Sequence, residues 1–239
     1  MSLGEIFFLL VILLSNIIQT ITGFAGTVLA MPPSIRLVGE DVCKPVLNLV
    51  AIIVCAYVVI MHFKDINWKE FLWMILFVGV GFGIGTALSY LPHDSRIFLI
   101  IYGSVIMAIA VVFFFLNTDK VKIPDWILYI LLVFGGILHA LYVSGGPLAI
   151  IFATYKIKEK NQFRATLSMM WIILNSILFT EHMIQGRFTP QVWMLFGIGA
   201  GLSILSMFVG HLIAKKLNLK IFMKITYVLL FISGLSLLF

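Results

Sequence analysis

The sequence predicts an all-α integral membrane protein built from two related halves. Of its 239 residues, 62% are hydrophobic and only 11% are charged, and the mean hydropathy is +1.15. Soluble globular domains do not have this composition. Long apolar runs alternate with short charged clusters, a pattern typical of a chain that crosses the bilayer several times. A glycine-rich interruption occurs at corresponding places in the two halves.

Eight apolar stretches define the predicted organisation. They run over residues 3–38, 43–63, 68–91, 97–116, 126–155, 163–184, 188–217 and 221–239. The connecting loops are short, so residues 1–239 are expected to form a single membrane domain. The first basic residue is Arg36, and the start of the chain therefore lacks the basic region of a signal peptide. We interpret the first stretch as a membrane segment that is retained.

The net charge of +6 is interpreted as membrane orientation, not nucleic-acid binding. Short basic loops between apolar spans favour the cytoplasmic side. Cys43 and Cys55 are too few and too widely spaced for a metal or redox motif. We therefore expect no cofactor, no metal and no nucleic-acid partner.

The second half of the chain repeats the first at an offset of about 120 residues. In this register His62 aligns with His182, and Trp73-Met74 aligns with Trp193-Met194. Lys44 aligns with Arg164. The predicted repeats cover about 3–118 and 124–239. The glycine-rich segment QTITGFAGTVLAMPP (19–33) then lies over HALYVSGGPLAIIFA (139–153).

Length indicates what these two segments do. As one straight helix the first stretch would be roughly 54 Å long and the fifth roughly 45 Å, at about 1.5 Å per residue. The hydrocarbon core is only about 30 Å thick. A helix that breaks near the glycines and turns back fits both lengths, although single crossings stay open. Unwound backbone at membrane depth requires burial in protein or a wet cavity.

The basic residues support either crossing pattern. Single crossings throughout place 11 of the 16 Lys and Arg residues on one side, and two hairpins place 12 there. Both patterns put the two termini outside a cell (inner) membrane. Only the hairpin pattern gives each half an odd number of crossings and therefore inverts the halves. Inverted repeats with paired broken helices are typical of transporters, with the substrate near the midplane.

The segments TGFAGTVLAMPP and VSGGPLAIIF, each near the start of one half, resemble those of the sulfite exporter TauE/SafE family. The resemblance extends over essentially the whole chain. It implies a membrane transporter that exports small sulfur-containing anions such as sulfite, thiosulfate or organosulfonates.

The residues around the breaks are also suited to an anion. Unwound helix ends expose N–H groups and a positive dipole end, and polar side chains nearby can donate hydrogen bonds. The candidate substrate-binding residues are Gln19, Thr22, Gly23, Gly26, Thr27, Asn48, His139, Ser144, Gly145, Gly146 and Ser168. Asn16 and Asn175 are weaker candidates of the same kind. The alternative roles are close helix packing for the glycines and interhelical hydrogen bonds for the polar side chains.

Lys44 and Arg164 are candidates for charge selection, or alternatively cationic anchors at helix ends. Acidic residues lie in loops or near the ends of the stretches, so no deep carboxylate is available as a proton relay. His139 is the only titratable residue close to a break.

Three other classes of function stay open. The first is a channel or carrier for another small ion or a carboxylate. The second is an intramembrane hydrolase using Ser144 with a histidine, although a G-x-S-G or H-E-x-x-H motif is missing from the sequence. The third is a scaffold protein. We expect a transporter rather than an enzyme, with a small anion and the bilayer as partners, and a homodimer is left open.

Overall fold

The computed structural model describes residues 1–22, 26–90, 95–115, 123–214, 219–236 and 238, and these form ten α-helices, one short 3-10 helix and no strand. The helices are α1 Leu3–Thr22, α2 Gly26–Val38, α3 Glu40–His62, α4 Trp68–Ser89, α5 Ser95–Phe115, α6 Asp125–Tyr142, α7 Gly146–Lys156, α8 Lys160–Ile184, α9 Pro190–Ala214 and α10 Leu219–Ser236. The 3-10 helix, Phe63–Asp65, joins α3 to α4. Within these described residues, six helices are long and apolar enough to cross a bilayer: α1, α3, α4, α6, α8 and α9. The prediction of an all-α membrane protein is confirmed.

Local sequence accounts for several helix boundaries. Gly39, at φ 78°, separates α2 from α3 with a left-handed conformation that favours glycine. The Asn67 side chain caps α4 by accepting a hydrogen bond from the N–H of Glu70 at 3.3 Å. Glu159 caps α8 in the same way by accepting from the N–H of Gln162 at 2.5 Å. These caps set where the membrane helices begin.

The first and fifth apolar stretches are both broken and both return to the side on which they start. In the first, the start of α1 meets the end of α2, where a Cβ added to Gly4 would lie 2.6 Å from the Leu37 carbonyl oxygen. In the fifth, the Lys156 ammonium at the end of α7 is 2.6 Å from the Asp125 carboxylate at the start of α6. This hydrogen-bonded pair raises the pKa of Lys156. The hairpin is thus the pattern found in both halves.

Corresponding helices of the two halves pack against each other in opposite directions. Asn48, early in α3, bonds to Asn175, late in α8, whereas Cys55 further along α3 lies beside Ser168, nearer the start of α8. The two helices are therefore antiparallel. The inverted repeat itself and the boundaries of its halves stay predictions.

The last helices of the two predicted halves, α5 and α10, are in close contact. α5 and α10 are antiparallel, because a Cβ added to Gly234 would lie 2.7 Å from the Gly103 carbonyl oxygen, and Lys224 lies over the ring of Phe114. α4 packs on α6, and α1 packs on α9. The Gln191 amide at the start of α9 donates to Glu5 at the start of α1, at 2.7 Å. Two hairpins are thus each held by a helix from the other half.

Glycines allow α4 and α6 to approach closely. A Cβ on Gly81 would overlap the Val133 carbonyl, and a Cβ on Gly136 would overlap the Val78 carbonyl. Lipid tails are as apolar as leucine, so membrane helices associate through such close packing more than through the hydrophobic effect. This contact positions the end of α6, where the second break begins.

We predict that Gly81→Ala destabilises the folded protein by about 1–3 kcal/mol, because the methyl group collides with backbone that cannot move freely. Gly83→Ala is the matched control, since a Cβ there meets no atom within 4 Å. That control should be neutral or stabilising by up to about 1 kcal/mol, from helix propensity alone. Thermal unfolding in detergent measures both variants. Equal unfolding temperatures for the two would contradict the close α4–α6 contact.

Candidate functional site

The second break is made by a left-handed turn after α6. Val143 has φ 54° and ψ 27°, and its N–H donates to the His139 carbonyl at 2.8 Å. A β-branched residue in this region is strained, and such strain persists where surrounding structure imposes it. The sequence analysis assigned the break to glycines, but Val143 carries the unusual conformation. Gly145 has φ −70° and ψ −5°, and α7 begins at Gly146 followed by Pro147.

The first break follows Thr22, the last residue of α1, and ends at Gly26, the first residue of α2. Gly23 lies outside the described residues, as does the side chain of Thr22, so the structure places neither of these two predicted groups. The helices that follow the two breaks, α2 and α7, meet in the interior. A Cβ added to Gly146 would lie 3.7 Å from the Val28 side chain of α2.

A cavity of about 50 Å³ lies where the two breaks meet α3 and α8. Its lining consists of Gln19, Thr27, Val28, Ala51, Cys55, His139, Val143, Gly146, Leu167, Ser168, Trp171 and Asn175. Five of these are predicted site residues: Gln19, Thr27, His139, Gly146 and Ser168. We call this space the central cavity.

Gly26 lies next to the central cavity and contacts one of its polar side chains. A Cβ on Gly26 would overlap the carboxamide of Gln19. The backbone at the start of α2 and the Gln19 side chain are therefore in direct contact. Glycine at this position allows that approach.

Asn48, Ser144 and Gly145 do not line the central cavity. Asn48 is fully buried, and its Nδ2 donates to the Asn175 carbonyl at 3.2 Å, joining α3 to α8. The Ser144 hydroxyl donates to the Tyr142 carbonyl at 2.8 Å. A Cβ on Gly145 would overlap the Gly135 carbonyl, so Gly145 allows α7 to lie close against α6.

The two candidate charge-selecting residues lie at opposite ends of the α3–α8 pair. The Lys44 ammonium is 2.5 Å from the Glu40 carboxylate and 5.0 Å from the centre of the Tyr142 ring. Arg164 is half-buried near Tyr57, one turn after α8 begins. Neither lines the central cavity.

Six residues at the central cavity are not predicted from the sequence, namely Val28, Ala51, Cys55, Val143, Leu167 and Trp171. Asn175 is a weaker candidate. The Trp171 ring lies 4.6 Å from the His139 ring, centre to centre. Ser168, Trp171 and Asn175 are three and four residues apart, so they share one face of α8. That spacing was visible in the sequence, but an apolar tryptophan on a membrane helix also fits a lipid-facing position.

Several buried polar atoms around the cavity have no hydrogen-bond partner among the described residues. They are Asn48 Oδ1, His139 Nε2 and Asn175 Oδ1. Asn175 lies near enough to interact with His139, but outside hydrogen-bond geometry. All three residues are at most 3% exposed. Unpartnered buried polar atoms are rare in folded proteins, and a polar ligand or water in the cavity would supply the missing bonds.

A larger space opens beyond the end of α6, on the face where α1 and α3 begin. We call it the vestibule, and its volume is about 580 Å³. Its lining includes Ala140 and Leu141 of α6, Lys44 of α3 and His182 of α8. Ala140 and Leu141 directly follow His139, a residue of the central cavity. The last turn of α6 therefore separates the two spaces.

On the opposite face, a hydrogen bond joins the loop between α3 and α4 to α8. The Asn67 N–H, just after the 3-10 helix, donates to the buried Thr166 hydroxyl of α8 at 2.9 Å. In the repeat register Val46 corresponds to Thr166 and has no hydroxyl, and Arg187 corresponds to Asn67. The Arg187 N–H donates to the His182 carbonyl in the last turn of α8 at 3.0 Å, and the Arg187 guanidinium lies 3.4 Å from the Asp41 carboxylate. The vestibule lies at this end, where the Gln185 amide also donates to the Tyr90 hydroxyl at 3.1 Å.

Two comparisons with known proteins found no match: no curated protein and no solved structure is similar to the chain. The comparison with protein families did find one. The model described as "Sulfite exporter TauE/SafE" matches residues 8–237, which is nearly the whole chain. The resemblance seen in the glycine-rich segments is thereby confirmed. With its all-helical membrane fold, the chain belongs to the sulfite exporter TauE/SafE family and is a membrane transporter of that type.

Proposed function

We propose that this protein exports a small sulfur oxyanion, such as sulfite or thiosulfate, through the central cavity. The observation that carries the proposal is the cavity itself, which forms where two broken helices meet and which is lined by hydroxyl, amide and imidazole groups. Oxyanions are bound by such donors and by exposed backbone N–H groups at helix starts. A volume of about 50 Å³ suits a compact ion better than an extended organosulfonate.

The packing of the helices supports an inverted repeat with the site near the midplane. Corresponding helices, α3 with α8 and α5 with α10, run antiparallel, as expected for halves of opposite orientation. Each hairpin returns to its starting side, so each half crosses the membrane three times. A site at the interface of two such halves can be exposed to either side by rocking one half against the other.

The basic residues suggest which face is outside. The face where α6 begins carries Lys156 and Lys158 as well as Lys64 and Lys69. The vestibule face carries Arg36, Lys44, Arg96 and Arg187. By the positive-inside rule the vestibule faces outward, and both termini lie outside. We place the protein in the cell (inner) membrane on the same grounds.

Alternating access is supported by the difference between the two faces. The outward vestibule is open, whereas on the inner face the Asn67–Thr166 bond holds the α3–α4 loop against α8. We infer that the structure represents an outward-facing state. A return to the inward-facing state would break this bond and close the vestibule over the last turn of α6.

No Asp or Glu lines the central cavity among the described residues. Carboxylate-gated coupling to protons or sodium would need such a group. A monovalent anion that leaves the cell gains about 2.3 kcal/mol for each 100 mV of inside-negative potential. We propose that this potential, with the anion gradient, drives export.

The proposed function predicts sulfite flux in proteoliposomes, and Gly146→Leu should abolish it. The leucine side chain would fill the central cavity, into which Gly146 faces without a close neighbour. Gly201→Leu is the matched control, because Gly201 is exposed on α9 and a Cβ there meets no atom within 4 Å. Radiolabelled sulfite release measures both variants at equal reconstitution. Normal flux through Gly146→Leu would remove the cavity from the pathway, and no flux from the wild type would remove the exporter itself.

A second prediction concerns the hydrogen bond between Asn67 and Thr166 on the inner face. Thr166→Val removes the acceptor for the Asn67 N–H, a change that costs about 1–2 kcal/mol and should open the inner face about tenfold more often. A reporter cysteine at Val58, which corresponds to Leu178 of the vestibule, should then be labelled about tenfold faster. Peptide mass spectrometry separates this label from the native cysteines. Thr180→Val is the control, since that exposed hydroxyl bonds only within its own helix, to Ser176. An unchanged labelling rate in Thr166→Val would show that this hydrogen bond does not hold the inner face closed.

A third prediction concerns charge selection. Lys44→Gln and Arg164→Gln should each lower anion flux about fivefold to tenfold, because each removes a partly buried cation at one end of the pathway. Lys158→Gln is the control, since its exposed ammonium bonds to the Thr154 carbonyl at 2.9 Å. Raising the salt concentration should not erase the effect of the first two variants, because buried charges are screened less. Three equal effects would reduce Lys44 and Arg164 to membrane anchors.

A further inference from the structure

The charge inventory of the central cavity restricts the ion that it can hold. The lining contains no Asp, Glu, Lys or Arg within the described part of the chain. The nearest candidate cations, Lys44 and Arg164, lie at opposite ends of the α3–α8 pair, and Lys44 is already paired with Glu40. An anion in the cavity is therefore held by dipoles alone. Because the desolvation cost grows with the square of the charge, a dianion costs about four times as much to bury as a monoanion.

The hydrogen-bond inventory points the same way. Gln19, Thr27 and Ser168 offer donors to an anion. Two residues that line the cavity also carry buried atoms without a hydrogen-bond partner among the described residues, the Asn175 Oδ1 oxygen and the His139 Nε2 nitrogen. A bare oxyanion has only acceptors, so it would leave the Asn175 oxygen unsatisfied and facing negative charge. An oxyanion that carries one proton can donate to this oxygen.

A nearby asparagine has its amide orientation set by the protein. Asn48 Nδ2 donates to the Asn175 carbonyl, which leaves Asn48 Oδ1 as a further buried acceptor without a partner. Asn48 lies less than one turn before Ala51, a cavity residue on the same helix. The α3–α8 contact therefore concentrates acceptors, and an anion site built only for bare dianions would have little use for them.

From these observations we propose that the substrate occupies the central cavity as a singly protonated, singly charged oxyanion. For sulfur(IV) this species is bisulfite and not sulfite. The inference rests on the proposed function, because it specifies the ionic form accepted by the same site. The substrate's O–H group donates to Asn175 Oδ1 or His139 Nε2, while its remaining oxygens accept from Gln19, Thr27 and Ser168. No covalent step is involved, and the proton leaves with the anion.

The test measures charge and sulfur together in proteoliposomes that contain the full-length protein. Radiolabelled sulfur(IV) is loaded at several pH values, and a potassium diffusion potential sets the voltage. For a monoanion, 100 mV should change the equilibrium accumulation about fifty-fold, and for a dianion by about the square of that factor. We expect the first value. We also expect flux to fall about tenfold per pH unit above the pKa of bisulfite. Liposomes without protein give the background from uncharged sulfur dioxide.

A variant separates a proton on the substrate from a proton on the protein. The titratable side chains that face the cavity are His139 of α6 and Cys55 of α3. His139→Gln cannot titrate but retains hydrogen-bonding groups. We expect its flux to be reduced while one charge per sulfur and the midpoint of the pH profile are unchanged. A dianion moved together with a proton on His139 would instead show two charges per sulfur in this variant.

The outcomes distinguish this inference from the proposed function. Two charges per sulfur in the wild type, or a change from one to two in His139→Gln, would overturn the inference and leave the exporter intact. A flux that rises with the fraction of bare sulfite would do the same. If the wild type carries no sulfur(IV) above background, the proposed function fails and the inference fails with it. One charge per sulfur in both proteins, with the expected pH profile, supports it.

Discussion

The structure depends on one constraint: backbone polar groups cannot be left exposed to lipid. Two apolar stretches of this protein are interrupted, and helix ends leave backbone N–H and C=O groups without partners inside the helix. The fold satisfies the constraint by bringing the interruptions together in the interior, where Gly146 faces Val28 and the central cavity lies between them. Four further helices surround the central cavity and the two hairpins. α3 and α8 form the walls, whereas α4 and α9 hold the hairpins from the opposite half.

Small residues allow the helices around the central cavity to pack closely. Gly81 and Gly136 allow α4 and α6 to touch through their backbones, and Gly145 allows α7 to lie close to Gly135 of α6. The two arms of the second hairpin therefore have little freedom relative to α4. Packing of this kind passes from one rigid arrangement to another instead of deforming gradually. The glycines near the two breaks therefore have different roles. Gly26 and Gly146 adjoin the cavity, whereas Gly145 allows α7 to pack closely against α6.

Much of this architecture was predictable from the sequence, because hydropathy and length act locally. The first stretch was too long for one crossing and too short for two, and the hairpin of α1 and α2 has that length. Five of the predicted site residues line the central cavity, and the repeat register pointed to them because the breaks occupy corresponding positions. The remainder required the fold. Trp171 and Cys55 line the cavity because α3 and α8 cross there, and no local pattern separates them from lipid-facing residues. The left-handed backbone conformation of Val143 was also not predictable from the sequence, because the neighbouring glycines were the expected site of backbone strain.

The two halves of the predicted repeat differ in the polar residues at their corresponding ends. Thr166 supplies a hydroxyl that fastens the inner loop, whereas Val46, its counterpart, supplies none. His62 is bonded to Asp65 at 3.0 Å, whereas Gln185 stands where Asp65 would be and donates instead to Glu181 and Tyr90. The Nδ1 atom of His182 is left without a partner in the described structure. Under the proposed alternating access, these polar differences between the predicted halves lie at the two faces, while the central cavity takes its lining from both halves.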